Sequence, residues 1–92
     1  MRESTLLSVL DRLDRQSLVA RFRFDNGEVY NLRVVSTMHA DEGGVAVAEV
    51  VRVPSSPTLG TIPDGEFINF SLSDVIQVTL DGECIVTCVP NA

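Results

Sequence analysis

The 92-residue chain is long enough for one domain with a modest core. All seven of its basic residues are arginines, and its net charge of −6 opposes non-specific binding to phosphate backbones, which rests on neutralisation by Lys and Arg. No apolar run approaches the ~18 residues of a membrane-spanning helix, and no basic region leads into an apolar run with a cleavage site. The expectation is therefore a cytoplasmic protein with no membrane partner.

The charge is unevenly spread. Residues 1–35 carry a net +1, with six arginines, and residues 36–92 a net −7, with Arg52 as the single base. Arg21, Arg23 and Arg33 form a candidate basic patch on the solvent side of the first predicted strands. The remainder of the chain is an acidic surface suited to a protein partner rather than a nucleic acid.

In chain order, residues 4–14 read as a short helix. Leu6, Val9, Leu10 and Leu13 recur at helical spacing, with Leu7 widening the stripe. Ser4 suits the N-cap, and Arg12 and Arg15 fall near the negative end of the helix dipole. A helix this short is marginal alone, so its leucine face must dock on other elements.

Residues 18–24 and 28–36 read as a β-hairpin. Leu18, Ala20, Phe22 and Phe24 alternate with polar positions, as do Tyr30, Leu32 and Val34. A two-residue Asn26-Gly27 turn would set Phe22 opposite Asn31 and mix the two faces. A three-residue loop, Asp25-Asn26-Gly27, sets Phe22 opposite Tyr30 and Ala20 opposite Leu32, so the apolar faces coincide. The expected turn is type I with Gly27 at positive φ as a G1 bulge.

Thr37 to Gly44 reads as a turn region, with His39, Asp41, Gly43 and Gly44 as a candidate ligand loop. Residues 45–53 read as a strand with two partly apolar faces, so its inward face stays open. The loop 54–66, PSSPTLGTIPDGE, is long for a compact domain and is expected to be functional or mobile, with Leu59 and Ile62 as its anchors. Residues 67–72 and 75–80 read as strands separated by a tight break at Ser73-Asp74. Asp81-Gly82 marks a further turn, and residues 84–89 are either a last strand or a continuation past a bulge.

No residues point to catalysis, a metal or a cofactor. Cys84 and Cys88 lie about 13 Å apart along one predicted strand, beyond disulfide reach, and are expected as core or interface thiols. His39 is the only histidine and has no nucleophile at a recognisable spacing, so the chain is not expected to be an enzyme.

A short N-terminal helix, three strands in tight succession, a longer loop, and two strands split by a one-turn break follow the order of the Sm-like family. Three segments carry the likeness. Phe24-Asp25-Asn26-Gly27-Glu28 resembles the family's first turn. Val45-Ala46-Val47-Ala48-Glu49-Val50 resembles its third strand, and Ile68 to Val78 its second motif. The resemblance covers about residues 4–80. It implies a mainly β fold: a short α-helix followed by a five-stranded, strongly bent antiparallel SH3-like barrel. It also implies a cyclic homo-oligomer of roughly five to seven subunits, in which the fourth strand of one copy pairs with the fifth of the next. The interface residues would be Phe67, Ile68, Phe70 and Leu72 on one strand and Val75, Ile76 and Val78 on the other. Neither strand holds the Lys or Pro that usually guards an open edge.

RNA is the partner the family implies, yet two of its features are missing. Gly43-Gly44 stands where an Asn would help to hold uridine, and Leu72-Ser73-Asp74 replaces the family's Arg-Gly pair. The alternative is an acidic protein-interaction or scaffold barrel with no nucleic-acid role. Salt-sensitive RNA binding lost on Arg21 or Arg23 substitution would favour the first, and its absence the second.

Overall fold

The computed structural model describes residues 2–40 and 43–87. It is mainly β, with one N-terminal helix, α1 (Arg2–Arg15), and six strands: β1 (Val19–Phe24), β2 (Val29–Ala40), β3 (Gly43–Val50), β4 (Phe67–Ser71), β5 (Val75–Leu80) and β6 (Glu83–Thr87). All pairings are antiparallel, and the strands form one sheet in the order β4-β3-β2-β1-β5-β6. The sheet is open. The expected five-stranded, strongly bent SH3-like barrel is thus corrected to an open sheet of six strands, whose two ends among the described residues are β4 and β6. Of the two readings left open for 84–89, the structure has a separate strand, at Glu83–Thr87, and residues 88 and 89 lie outside the described ones.

The β1–β2 hairpin has the expected register, with Phe22 opposite Tyr30 and Ala20 opposite Leu32. Its turn has the expected geometry. The Gly27 N–H donates to the Phe24 carbonyl at 3.0 Å, the Phe24 N–H donates to the Glu28 carbonyl at 2.9 Å, and Gly27 has φ +92°. The register follows the buried face, because a slip of one residue would put Phe22, 0% exposed, into solvent.

Several boundaries differ from expectation: α1 begins at Arg2, so Ser4 lies inside the helix rather than at its N-cap, and three strand ends shift. β2 continues to Ala40 and β3 begins at Gly43, so most of Thr37–Gly44 is paired strand rather than loop. Gly44, which marked a turn in the sequence, packs its backbone against Leu72. A methyl group there would fall 2.6 Å from Leu72 Cδ1. Glycine inside a strand marks such a close approach as readily as a turn. At its other end β3 stops at Val50 rather than at residue 53, with one more bond in the same register, from the Val51 N–H to the Asn31 carbonyl at 2.9 Å, before the chain leaves β2.

A register shift at Val35 bends β2 where it passes along β3. Ala46, Ala48 and Val50 face inward at 0% exposure, which settles the open question of that strand's faces. β4 ends one residue earlier than expected, and Leu72 turns into a one-turn 3-10 helix, Leu72–Asp74. Its N-cap is Ser71, whose hydroxyl accepts from the Ser73 N–H. The Asp25 N–H donates to the Asp74 carbonyl at 2.9 Å and ties this turn to the first hairpin. The chain then enters β5, which returns to lie beside β1.

The helix closes the inner face. Leu6, Leu10 and Leu13 are at most 1% exposed and join the cluster of Phe22, Leu32, Val34 and Val78. Each such leucine stabilises the fold by about 1.5–3 kcal/mol relative to exposure. That packing explains why so short a segment is helical at all. The turn between β5 and β6 is a two-residue Asp81-Gly82 loop with φ of 52° and 82°. Positive φ at both central residues is the type I′ signature that an Asp-Gly pair favours. No helix of the described residues is long and apolar enough to cross a membrane.

Candidate functional site

The outer face of the sheet holds Arg21, Arg23 and Arg33. Asn31, Arg21, Thr79 and Cys84 stand in one row across β2, β1, β5 and β6. Arg23 lies in the next row between Val29 and Gln77, and Arg33 lies between Val19 and Glu49. The three arginines therefore share a face, as expected, but two of them are engaged. The Arg21 guanidinium donates to the Ser56 hydroxyl and to the Pro57 carbonyl, the latter at 2.9 Å. Arg33 pairs with Glu49. Arg23 is exposed and has no ion pair among the described residues.

Residues 54–66 form a strap around the free end of β2. On the outer side, the Asn31 side-chain amide donates to the Ser56 carbonyl and its oxygen accepts from the Ser56 hydroxyl at 3.1 Å. At the strand edge, Val29 and Leu59 exchange two backbone hydrogen bonds of 2.9 Å. On the inner side, the Tyr30 hydroxyl accepts from the Thr61 and Ile62 N–H groups at 3.1 and 3.3 Å and donates to Glu28 Oε1 at 3.0 Å. The chain rejoins the sheet where Gly65 N–H donates to the Val50 carbonyl at 2.7 Å. The strap covers the part of β2 that β3 does not reach, which is why Val29 and Asn31 are each 3% exposed. It thereby shields an otherwise open run of backbone groups. Ile62 packs on the core as expected, whereas Leu59 is anchored by its backbone and leaves its side chain 57% exposed.

Asn31 and the Tyr30 hydroxyl were not legible as anchors. Tyr30 reads as core, and its ring does pack edge-on against Phe24. The available signal was chemical: a buried tyrosine usually finds a partner for its hydroxyl, and an Asn within a strand rarely lies idle.

Beside the strap an open cleft of about 530 Å³ is lined by Val19, Arg21, Asn31, Ser56, Thr79 and Asp81. With Arg21 and Asn31 already bonded to the strap, the cleft offers a mixed polar wall and no concentrated charge.

The candidate loop is not brought together as a site. His39 and Gly44 face each other in the β2–β3 ladder, Gly43 pairs with Ala40, and Asp41 lies outside the described residues. Among the described residues no three His, Cys, Asp or Glu side chains converge to hold a metal. Cys84 is exposed rather than in the core; its sulfur lies 3.6 Å from Gln77 Nε2 and 3.5 Å from the Val86 carbonyl. The expectation for Cys88 concerns a residue outside the described ones.

The predicted interface strands take different positions. β4 is an edge strand, with Phe67 60% exposed and Ile68 and Phe70 half-buried. β5 is not an edge: β1 pairs with one side and β6 with the other, and Val75 and Val78 are at most 1% exposed. The free edge expected at residues 75–80 is thus occupied by the chain's own last strand. Leu72, at 1%, is core.

Comparison with known proteins returned no matching family model, no matching curated protein and no matching solved structure.

Proposed function

We propose that this chain is a non-enzymatic assembly module of the Sm-like type, which joins copies of itself into a closed ring. One observation supports this above others: β4 passes through a single 3-10 turn into β5, which returns to pair with β1 beneath an N-terminal helix. The one-turn break between those two strands is the feature the Sm-like resemblance implies. The β4 edge, which no other described strand pairs, also favours assembly, because an edge without Lys or Pro invites pairing.

RNA is the weaker ligand on this reading. Arg21 and Arg33 are bonded within the chain, and the net charge of −6 repels a phosphate backbone. A protein partner on the acidic surface is the favoured second ligand. Light scattering at low and high salt tests the assembly. A salt-resistant mass of several subunits is expected, and a monomer at both salts would overturn the reading. Titration with uridine-rich RNA tests the ligand: no salt-dependent binding is expected, and binding abolished by Arg23→Ala would restore RNA as the ligand.

A further inference from the structure

We propose that the cleft beside the strap binds a small zwitterion of amino-acid chemistry, its carboxylate held by Arg21 and its ammonium by Asp81. The site does not depend on assembly, because it lies over β2, β1 and β5, away from the β4 edge.

Arg21 is the anchor. It stands in the outer row with Asn31 on one side and Thr79 on the other. It is half-buried, and no carboxylate pairs with it among the described residues. A cation drawn partly out of water without a counter-ion favours an anionic ligand. Both bonds that Arg21 makes, to the Ser56 hydroxyl and the Pro57 carbonyl, use Nη1. The edge formed by Nε and Nη2 has no partner among the described residues. That edge presents two parallel N–H groups, the geometry that grips a carboxylate through two bonds. The strap already holds the guanidinium in place, so a ligand arriving there costs little side-chain freedom.

Asp81 supplies the opposite charge. It lines the same cleft from the β5–β6 turn, has no ion pair among the described residues and forms none with Arg21. One cleft thus holds a cation and an anion that do not meet. A molecule carrying both charges satisfies both groups, whereas inorganic phosphate satisfies one and is repelled by the other. The hydroxyls of Ser55 and Thr79 also line the cleft without a side-chain partner among the described residues, and they take up the ligand's remaining polar groups. Val19 and Val53 give an apolar wall against which a side chain can rest. The cleft, about 530 Å³, falls within the roughly 300–1,000 Å³ of small-molecule sites.

Isothermal titration calorimetry of the full chain tests this, with L-leucine as the probe. N-acetyl-leucine keeps the carboxylate and loses the positive charge, and leucinamide does the reverse. The expected result is saturable binding of leucine, with either half-ligand and inorganic phosphate at least about tenfold weaker, the order of factor that one charge-assisted hydrogen bond supplies. Asp81→Asn keeps the turn, because Asn-Gly suits the type I′ geometry as well as Asp-Gly. It should weaken leucine about tenfold and leave N-acetyl-leucine unchanged. Arg21→Lys should weaken both, because an ammonium lacks the two-bond edge. Circular dichroism checks that each variant is folded. Should Arg21→Lys fail to fold, Thr79→Val replaces it; removing that hydroxyl should weaken both ligands by roughly three- to tenfold. No binding of leucine, a half-ligand or phosphate bound as tightly as leucine, or leucine binding untouched by Asp81→Asn would each overturn the proposal.

Discussion

The backbone of Gly60 lies directly against the ring of Tyr30: a methyl group at Gly60 would fall 2.3 Å from the Tyr30 hydroxyl oxygen and 2.4 Å from Cζ. Tyr30 is 1% exposed and its ring packs on Phe24, so it has little room to move. Gly60→Ala should therefore lift the strap from β2 rather than displace the ring. Overpacking of this kind costs about 1–3 kcal/mol. The expected outcome is a lower melting temperature and faster exchange of the Leu59, Thr61 and Ile62 amides. A variant with the exchange rates of the unmodified chain would show that the strap does not depend on this contact.

Tyr30→Phe removes the hydroxyl and keeps the ring. Two backbone N–H groups and Glu28 then lose their shared partner. Thr61 is exposed, so water replaces part of the loss, and the net cost should be about 1 kcal/mol. The exchange of the Thr61 and Ile62 amides should rise more than that of residues in β1. Uniform acceleration across the sheet would instead mean that the hydroxyl supports the whole core.

Asn31→Ala acts on the outer side of the same strap. It breaks both hydrogen bonds to Ser56 and leaves the Ser56 groups to find other partners at a site where Asn31 itself was 3% exposed. The expected cost is about 1–3 kcal/mol, since unmade buried hydrogen bonds cost more than made ones contribute. If the two sides of the strap are coupled, Asn31→Ala combined with Tyr30→Phe should cost less than the sum of the single effects. Chemical denaturation of the three variants gives that comparison as a double-mutant cycle.

What the sequence disclosed and what it hid have a common cause. The pairing of Phe22 with Tyr30 was legible because it joins near neighbours whose alternation and turn residues admit one register. The leucine stripe of α1 and the one-turn break after β4 were legible for the same local reason. Asn31 and Ser56 are 25 positions apart and meet because a loop wraps a strand end, which no periodic pattern encodes. Gly43-Gly44 misled because glycine serves both turns and close packing, and only the position of Leu72 tells the two apart. The occupation of the β5 edge by β6 escaped notice because an alternating apolar pattern assigns a strand its faces but not its neighbours. The arginines followed the same division: strand alternation alone puts Arg21, Arg23 and Arg33 on one face, whereas the bonds from Arg21 to the 54–66 loop and from Arg33 to Glu49 join distant segments and were not legible.

The hairpin turn offers the cleanest separation of backbone strain from packing. Gly27 has φ +92°, and a methyl group there would meet nothing within 4 Å. Any cost of substitution is therefore conformational. A β-branched residue strongly resists positive φ, whereas Asn tolerates it. Gly27→Val should thus cost about 1–2 kcal/mol, and Gly27→Asn well under half of that. For a domain of this length each kcal/mol corresponds to roughly 4–8 °C in Tm, so thermal melts should rank the proteins unmodified, Asn, Val. Both variants should retain the Phe22–Tyr30 register, because the buried faces rather than the turn alone select it. Equal melting of the Asn and Val variants would show that Gly27 is required for some contact other than its dihedral angle.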